Sequence, residues 1–217
     1  MTKAKTRAVL TLLSGAVLWL STAWALYTFF TRMGTGNMAV RGTLCFRYFT
    51  VDSNILVCLL SLPGMAGAVR ALRSGEFTLS AGAVRAKFVG AAAVGLTFTV
   101  VMVFLGPLFG YGAMFRGLNL YLHLVNPLLA TASLIFWERG PAPERRDLLW
   151  AALPMVVYGL IYLTMVVVVK GWPDFYGFNI GGFWYISYLA VLAAQMGIAA
   201  LLRLGCRAVG KKETNIK

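Results

Sequence analysis

Apolar blocks of roughly twenty residues alternate with short polar connections along the chain, and each block is long enough to cross a ~30 Å hydrocarbon core as a helix. The pattern predicts six spans near 9–31, 46–68, 88–109, 118–136, 148–169 and 183–204, with a basic tail over 205–217. The expectation is a single all-α, polytopic membrane domain. Polarity within the blocks is uneven. The second, CFRYFTVDSNILVCLLSLPGMAG, is polar in its first half and apolar in its second. In the third, Ala86, Gly90 or Ala91, and Gly95 are small residues near helix-repeat spacing, which favours close helix approach in lipid. The fourth, GLNLYLHLVNPLLATASLIFW, contains the only histidine of the chain, His123. The fifth carries Pro154 near one end, and the sixth is plain except for Gln195. Spans 1–3 and 4–6 share no repeat, which weighs against the inverted-repeat architecture of many transporters.

Composition agrees with the pattern. The chain is 59% hydrophobic and 12% charged, about half the charged fraction of a soluble domain, so no soluble domain is expected. A net charge of +13 would point to nucleic acid in a soluble protein, but here it reads as topology. Fifteen of the twenty Lys and Arg, Lys87 among them just ahead of the third span, fall in the connections on the side of the N-terminus. That excess predicts cytoplasmic termini and contact with anionic lipid headgroups in a cell (inner or plasma) membrane; no nucleic-acid partner is expected. Ala23-Trp24-Ala25 resembles a signal-peptidase site, but the apolar run continues to Phe30, longer than a signal core, and is read as a retained helix. Cys45, Cys58 and Cys206 are too scattered for a disulfide framework. With one histidine and no carboxylate cluster, neither a metal site nor a cofactor is expected.

The polar residues of the spans gather on one side. By this topology Arg47, Thr50, Asp52, Ser53 and Asn54 occupy the outer half of the second span, and Asn119, His123 and Asn126 the outer half of the fourth. Asp174 and Asn179 lie in the outer loop KGWPDFYGFNIGG. Residues three and four apart share a helix face, so Arg47, Thr50, Ser53, Asn54 and Val57 form one stripe, with Asp52 displaced to another side, and Asn119, His123, Asn126 and Pro127 form another. Pro127 deprives the His123 carbonyl of its usual helical donor. An ionisable ring at membrane depth marks a functional site, and imidazole is suited to proton transfer near neutral pH.

FRYFTVDSN and LHLVNPLLATASLIFWE resemble the two motif regions of the androgen-induced, FAR-type family of membrane proteins and their bacterial six-span relatives. The resemblance covers about fifty residues. It implies a lipid hydrolase that cleaves fatty acid esters of hydroxy fatty acids, with Thr50 as nucleophile, His123 as its base and Glu138 closing the second motif. The substrate would be a membrane lipid or fatty-acid ester in a cavity open to the outer leaflet, with Thr50 and His123 facing one another across it. Arg47, Asn54 or Asn126 are candidates for the oxyanion, and Asp52 or an Asn for orienting the ring. Asn119 and Asp174 are further binding or orienting candidates. The alternative is a non-enzymatic lipid-binding or small-solute or proton transport protein of the same fold, with Asp52, His123 and Asn126 lining the path.

Overall fold

The computed structural model describes residues 2–34 and 38–214. Six helices have the length and apolar composition to cross a membrane: α1 (Lys3–Thr31), α2 (Phe49–Ser74), α3 (Ala81–Phe109), α4 (Leu118–Trp137), α5 (Asp147–Val168) and α6 from Trp184. The protein is an all-α, multi-pass membrane protein. Helix ends lie where caps place them. Thr2 accepts the Lys5 amide at 3.3 Å and starts α1. Ser80 accepts the Ala83 amide at 3.2 Å and starts α3 at Ala81, not near 88. Gly42–Arg47 form a tight turn of their own, so α2 begins at Phe49. Helix α6 continues through Thr214, so most of the expected tail is helical; 215–217 lie outside the described residues.

Helix α3 is the centre of the bundle and touches α2, α4, α5 and α6. Its run from Gly90 to Thr97 is buried at every position, possible because the residues are small enough to be surrounded. A Cβ at Gly90 would lie 2.9 Å from the Cα of Val57, so that glycine is what lets α2 and α3 meet closely.

Two helices widen just ahead of a proline. Over Val101–Leu105 in α3 and Tyr121–Val125 in α4 the hydrogen bonds run five residues back, Gly106 N–H to Val101 and Asn126 N–H to Tyr121. In that register Pro107 faces the Met102 carbonyl and Pro127 faces that of Leu122, and neither proline has a proton to give. A side chain donates instead: Tyr111 Oη to Met102 O at 2.7 Å and Asn54 Nδ2 to Leu122 O at 3.1 Å. The carbonyl taken up beside Pro127 is therefore that of Leu122, one residue before the expected His123.

The long α3 has a second consequence. Lys87 lies inside the helix, not in its flank, and is 1% exposed. Its Nζ is 2.9 Å from Glu138 Oε1 at the end of α4, and Glu138 is also buried. Removing one partner leaves an uncompensated buried charge. Lys87→Met is expected to destabilise the protein by about 3–5 kcal/mol. The double change Lys87→Met with Glu138→Gln should recover most of that in reversible unfolding from detergent micelles.

Candidate active site

The capture of the Leu122 carbonyl brings α2 against α4 at one depth. Asn54 donates its second amide hydrogen to the Thr50 carbonyl one turn earlier, at 2.7 Å. Its oxygen accepts from Asn126 Nδ2 at 2.8 Å, and Asn126 in turn accepts from Ser21 Oγ at 2.8 Å and approaches Thr22 Oγ1 at 3.4 Å. This amide ladder ties α1, α2 and α4 together. Ser53 adds α3, its Oγ lying 2.9 Å from Thr97 Oγ1.

Held in this way, Thr50 Oγ1 lies 3.4 Å from His123 Nε2. The other ring nitrogen, Nδ1, lies 2.7 Å from the Met114 carbonyl. A carbonyl only accepts, so Nδ1 carries the proton, and in the neutral ring Nε2 presents its lone pair to the threonine hydroxyl. The Met114 carbonyl, the imidazole and the Thr50 hydroxyl thus form one connected series. The orienting group is a backbone carbonyl from the connection between α3 and α4, not Asp52 or an asparagine. Asn119, buried one turn before His123, braces that connection through Nδ2 to the Ala113 carbonyl at 3.4 Å.

Thr50 also lines a cleft, but not the one expected between it and His123. The cleft lies on the far side of the threonine, walled by α3, α5, α6 and the 170–183 loop, with Leu96, Val100, Met155, Tyr158, Tyr188 and Val191 among its apolar and aromatic walls. About 620 Å³ is free of atoms there, of which about 60 Å³ is wide enough for a water-sized sphere. It is a narrow slot. His123 is completely buried behind Thr50 and does not reach it.

Other candidates have different partners. The Arg47 guanidinium sits 5.7 Å over the Trp172 ring, and its carbonyl accepts from Tyr158 Oη at 2.6 Å. Asp52 is half-buried in the first turn of α2 and lies outside the cleft lining. Asp174 holds the loop: it accepts Tyr162 Oη at 2.5 Å, the Phe178 amide at 2.9 Å and the Asn179 amide at 2.8 Å. Both amide hydrogens of Asn54 and both donor contacts of Asn126 are committed to the ladder.

Sequence reasoning missed the tyrosines. Tyr176 Oη accepts the Phe49 amide at 3.0 Å and interacts with the hydroxyl of Tyr158. Burial pushes the Tyr176 hydroxyl pKa up. The same loop packs the ring of Phe175 tilted against Tyr48 at 4.6 Å and that of Tyr176 against Tyr162 at 5.4 Å, closing this end of the bundle. The readable signal was Tyr158 and Tyr162, four apart inside an apolar helix and so on one face. At the start of α2 the Phe49 amide bonds Tyr176, and those of Val51 and Asp52 bond the Tyr48 carbonyl. Among the described residues, the Thr50 amide is the first-turn N–H with no such partner.

No protein-family model, curated protein or solved structure matches the chain. Functional assignment therefore rests on this geometry.

The ladder gives a direct expectation. A double-mutant cycle of Asn54→Ala and Asn126→Ala should show coupling of about 0.6 kcal/mol, and not above ~1.7, as for other interhelical hydrogen bonds in lipid. Nearby, burial pushes the Cys45 thiol up to about 11, with the Asp52 charge adding to it. Its raised folded-state pKa contributes stability that is complete below the ordinary value of 9.0 and is lost as pH rises toward 11. At about pH 8 the folded protein should leave Cys45 unalkylated by iodoacetamide, whereas unfolding in dodecyl sulfate should expose it.

Proposed function

We propose that the protein is a lipid-ester hydrolase with Thr50 as nucleophile and His123 as general base. The observation that carries this reading is the line Met114 carbonyl–His123–Thr50, which ends at an apolar slot. An acyl chain lies in the slot and brings its ester carbonyl to the threonine. Thr50 Oγ1 attacks the carbonyl carbon while its proton passes to His123 Nε2. The tetrahedral oxyanion is placed near the unpaired Thr50 amide at the positive end of α2, a preorganised donor. Collapse breaks the bond to the alkoxide, which leaves with the proton held on Nε2. Water, deprotonated by the same nitrogen, then releases the fatty acid and regenerates Thr50.

The width of the slot favours one extended chain over a diacyl body. The resemblance to the FAR-type hydrolases supports the same assignment of roles. The distribution of Lys and Arg supports an outer-leaflet position for this end of the bundle in a cell membrane. A second reading, lipid binding without turnover, is favoured by the complete burial of His123 behind Thr50.

Labelling with a long-chain fluorophosphonate separates the two. Wild type should label covalently, Thr50→Ser should retain labelling, and Thr50→Ala should lose it. His123→Ala should slow labelling by about 10²–10⁴-fold, the usual contribution of a positioned base. Equal labelling of wild type and Thr50→Ala would remove the nucleophile assignment. No labelling of either, with a lipid still co-purifying, would leave the binding reading.

A further inference from the structure

The end of the bundle opposite Thr50 carries a second, larger depression. It lies between the N-terminal turns of α1, the connection from α4 to α5 and the last turns of α6. About 1100 Å³ of it is wide enough for a water-sized sphere, against about 60 Å³ in the slot. Its rim includes Arg7, Arg139 and Arg207, and its walls include the apolar side chains of Leu134 and Leu204.

Charge at this end is unevenly satisfied. Asp147 pairs with Arg85 at 2.5 Å, Glu138 with Lys87 at 2.9 Å and Glu144 with Arg146 at 2.9 Å. The cations that pair with them do not line the groove, whereas Glu138 does, its Oε1 held by Lys87 and its Oε2 without a hydrogen bond among the described residues. Among the described residues, Arg139 and Arg207 have no acidic partner. Arg203, beside them, feels the like charges of Arg207 and Arg145. The walls are fixed in place. Arg203 Nε donates to the Pro143 carbonyl at 3.1 Å, and the Leu79 amide donates to the Arg139 carbonyl at 2.7 Å. A Cβ at Gly140 would lie 2.5 Å from the Leu79 carbonyl oxygen, so the connection is seated as closely as backbone allows.

We propose that this groove binds the phosphate of an anionic membrane phospholipid, with Arg139 and Arg207 on the phosphate and an acyl chain along Leu134 and Leu204. Arginines on a rigid frame whose charge meets no acid among the described residues call for an anion, and guanidinium suits phosphate oxygens. The groove opens at the ends of apolar helices, the level of lipid headgroups, and its walls are part apolar. Both features select a lipid over a free ion. The site is at the far end from Thr50 and stands independently of the hydrolase reading.

Native mass spectrometry of the detergent-purified full chain tests it, with phosphatidylglycerol against phosphatidylcholine of equal chain length as probes. Wild type should retain phosphatidylglycerol preferentially. Arg139→Gln with Arg207→Gln should weaken that retention by about 25-fold, about five-fold for each cationic side chain near a lipid surface, while Arg139→Lys with Arg207→Lys keeps most of it. Arg70→Gln with Arg73→Gln, outside the groove, removes the same charge and should leave retention unchanged. Equal retention by wild type and the Arg139/Arg207 double variant would overturn the site, as would an equal loss in the Arg70/Arg73 control. Displacement by millimolar inorganic phosphate as readily as by short-chain phosphatidylglycerol would overturn the lipid assignment in favour of a phosphate-ion site. Near-ultraviolet circular dichroism identifies any variant that has lost its fold, and the single changes Arg139→Gln and Arg207→Gln then decide the outcome.

Discussion

The hydrogen bond from Asn54 to the Leu122 carbonyl is the contact on which the rest of the polar core depends. In hydrocarbon an unpaired backbone carbonyl costs several kcal/mol, with no water to take it up. Pro127 creates such a carbonyl in α4, and a side-chain donor must satisfy it. Asn54 does so, which fixes the depth and rotation of α2 against α4. One turn before Asn54 is Thr50, and one residue after Leu122 is His123. Their 3.4 Å approach follows from a backbone requirement that has nothing to do with catalysis. The same logic recurs in α3, where Pro107 leaves Met102 to be met by Tyr111. Pro107 and Pro127 do not simply bend their helices; each obliges a particular side chain to arrive.

Burial of charge imposes the second constraint. The Lys87–Glu138 pair joins α3 to the end of α4 from inside the bundle. Such a pair adds little net stability compared with apolar residues of the same volume. Its effect is selective: any packing that separates the two ends leaves a bare charge in an apolar environment. It therefore fixes the register of α3 against α4 at one end, as the amide ladder fixes α2 against α4 at the other. The central run of small buried residues on α3 could slide without these two restraints, since alanines offer few distinctive shapes to lock.

These two constraints also explain what was legible in the sequence. The six helices could be read because twenty apolar residues have few other options in a chain of this composition. Thr50, Asn54, His123 and Asn126 could be read because polar groups inside apolar runs must find one another, and helical spacing says which faces carry them. Lys87 was misplaced because a lysine near an apolar run looks like a flank; only the cap at Ser80 reveals a helix that starts earlier. The Met114 carbonyl was beyond reach, since every residue has a carbonyl and nothing in its side chain announces the role. Asp174 was read as a binding candidate because a carboxylate in an outer loop is conspicuous. Its three acceptor contacts make it the fastener of that loop instead. The slot was missed because most of its walls, on α3, α5 and α6, are apolar and aromatic side chains like those elsewhere in the spans, and the spacing of Tyr158 and Tyr162 was the one signal of it.

The choice of a carbonyl to orient His123 has a chemical consequence. In familiar triads a carboxylate holds the ring and also stabilises the imidazolium that forms when the base takes a proton. A carboxylate placed behind His123 would itself be buried in an apolar interior, and paying for its desolvation would require a further partner. The Met114 carbonyl sets tautomer and direction at no such cost, but it supplies only a dipole to the cationic ring. In the proposed reaction, proton transfer from Thr50 depends more heavily on stabilising the opposite charge, the oxyanion, because the ion pair forms where water cannot screen it. The low polarity that makes the cation expensive also strengthens any donor aimed at the anion. The start of α2 provides such a donor beside the Thr50 hydroxyl, in the Thr50 amide. A site of this kind is suited to an ester, whose alkoxide leaves more readily than an amine, and to a substrate that arrives through lipid and needs no aqueous entrance.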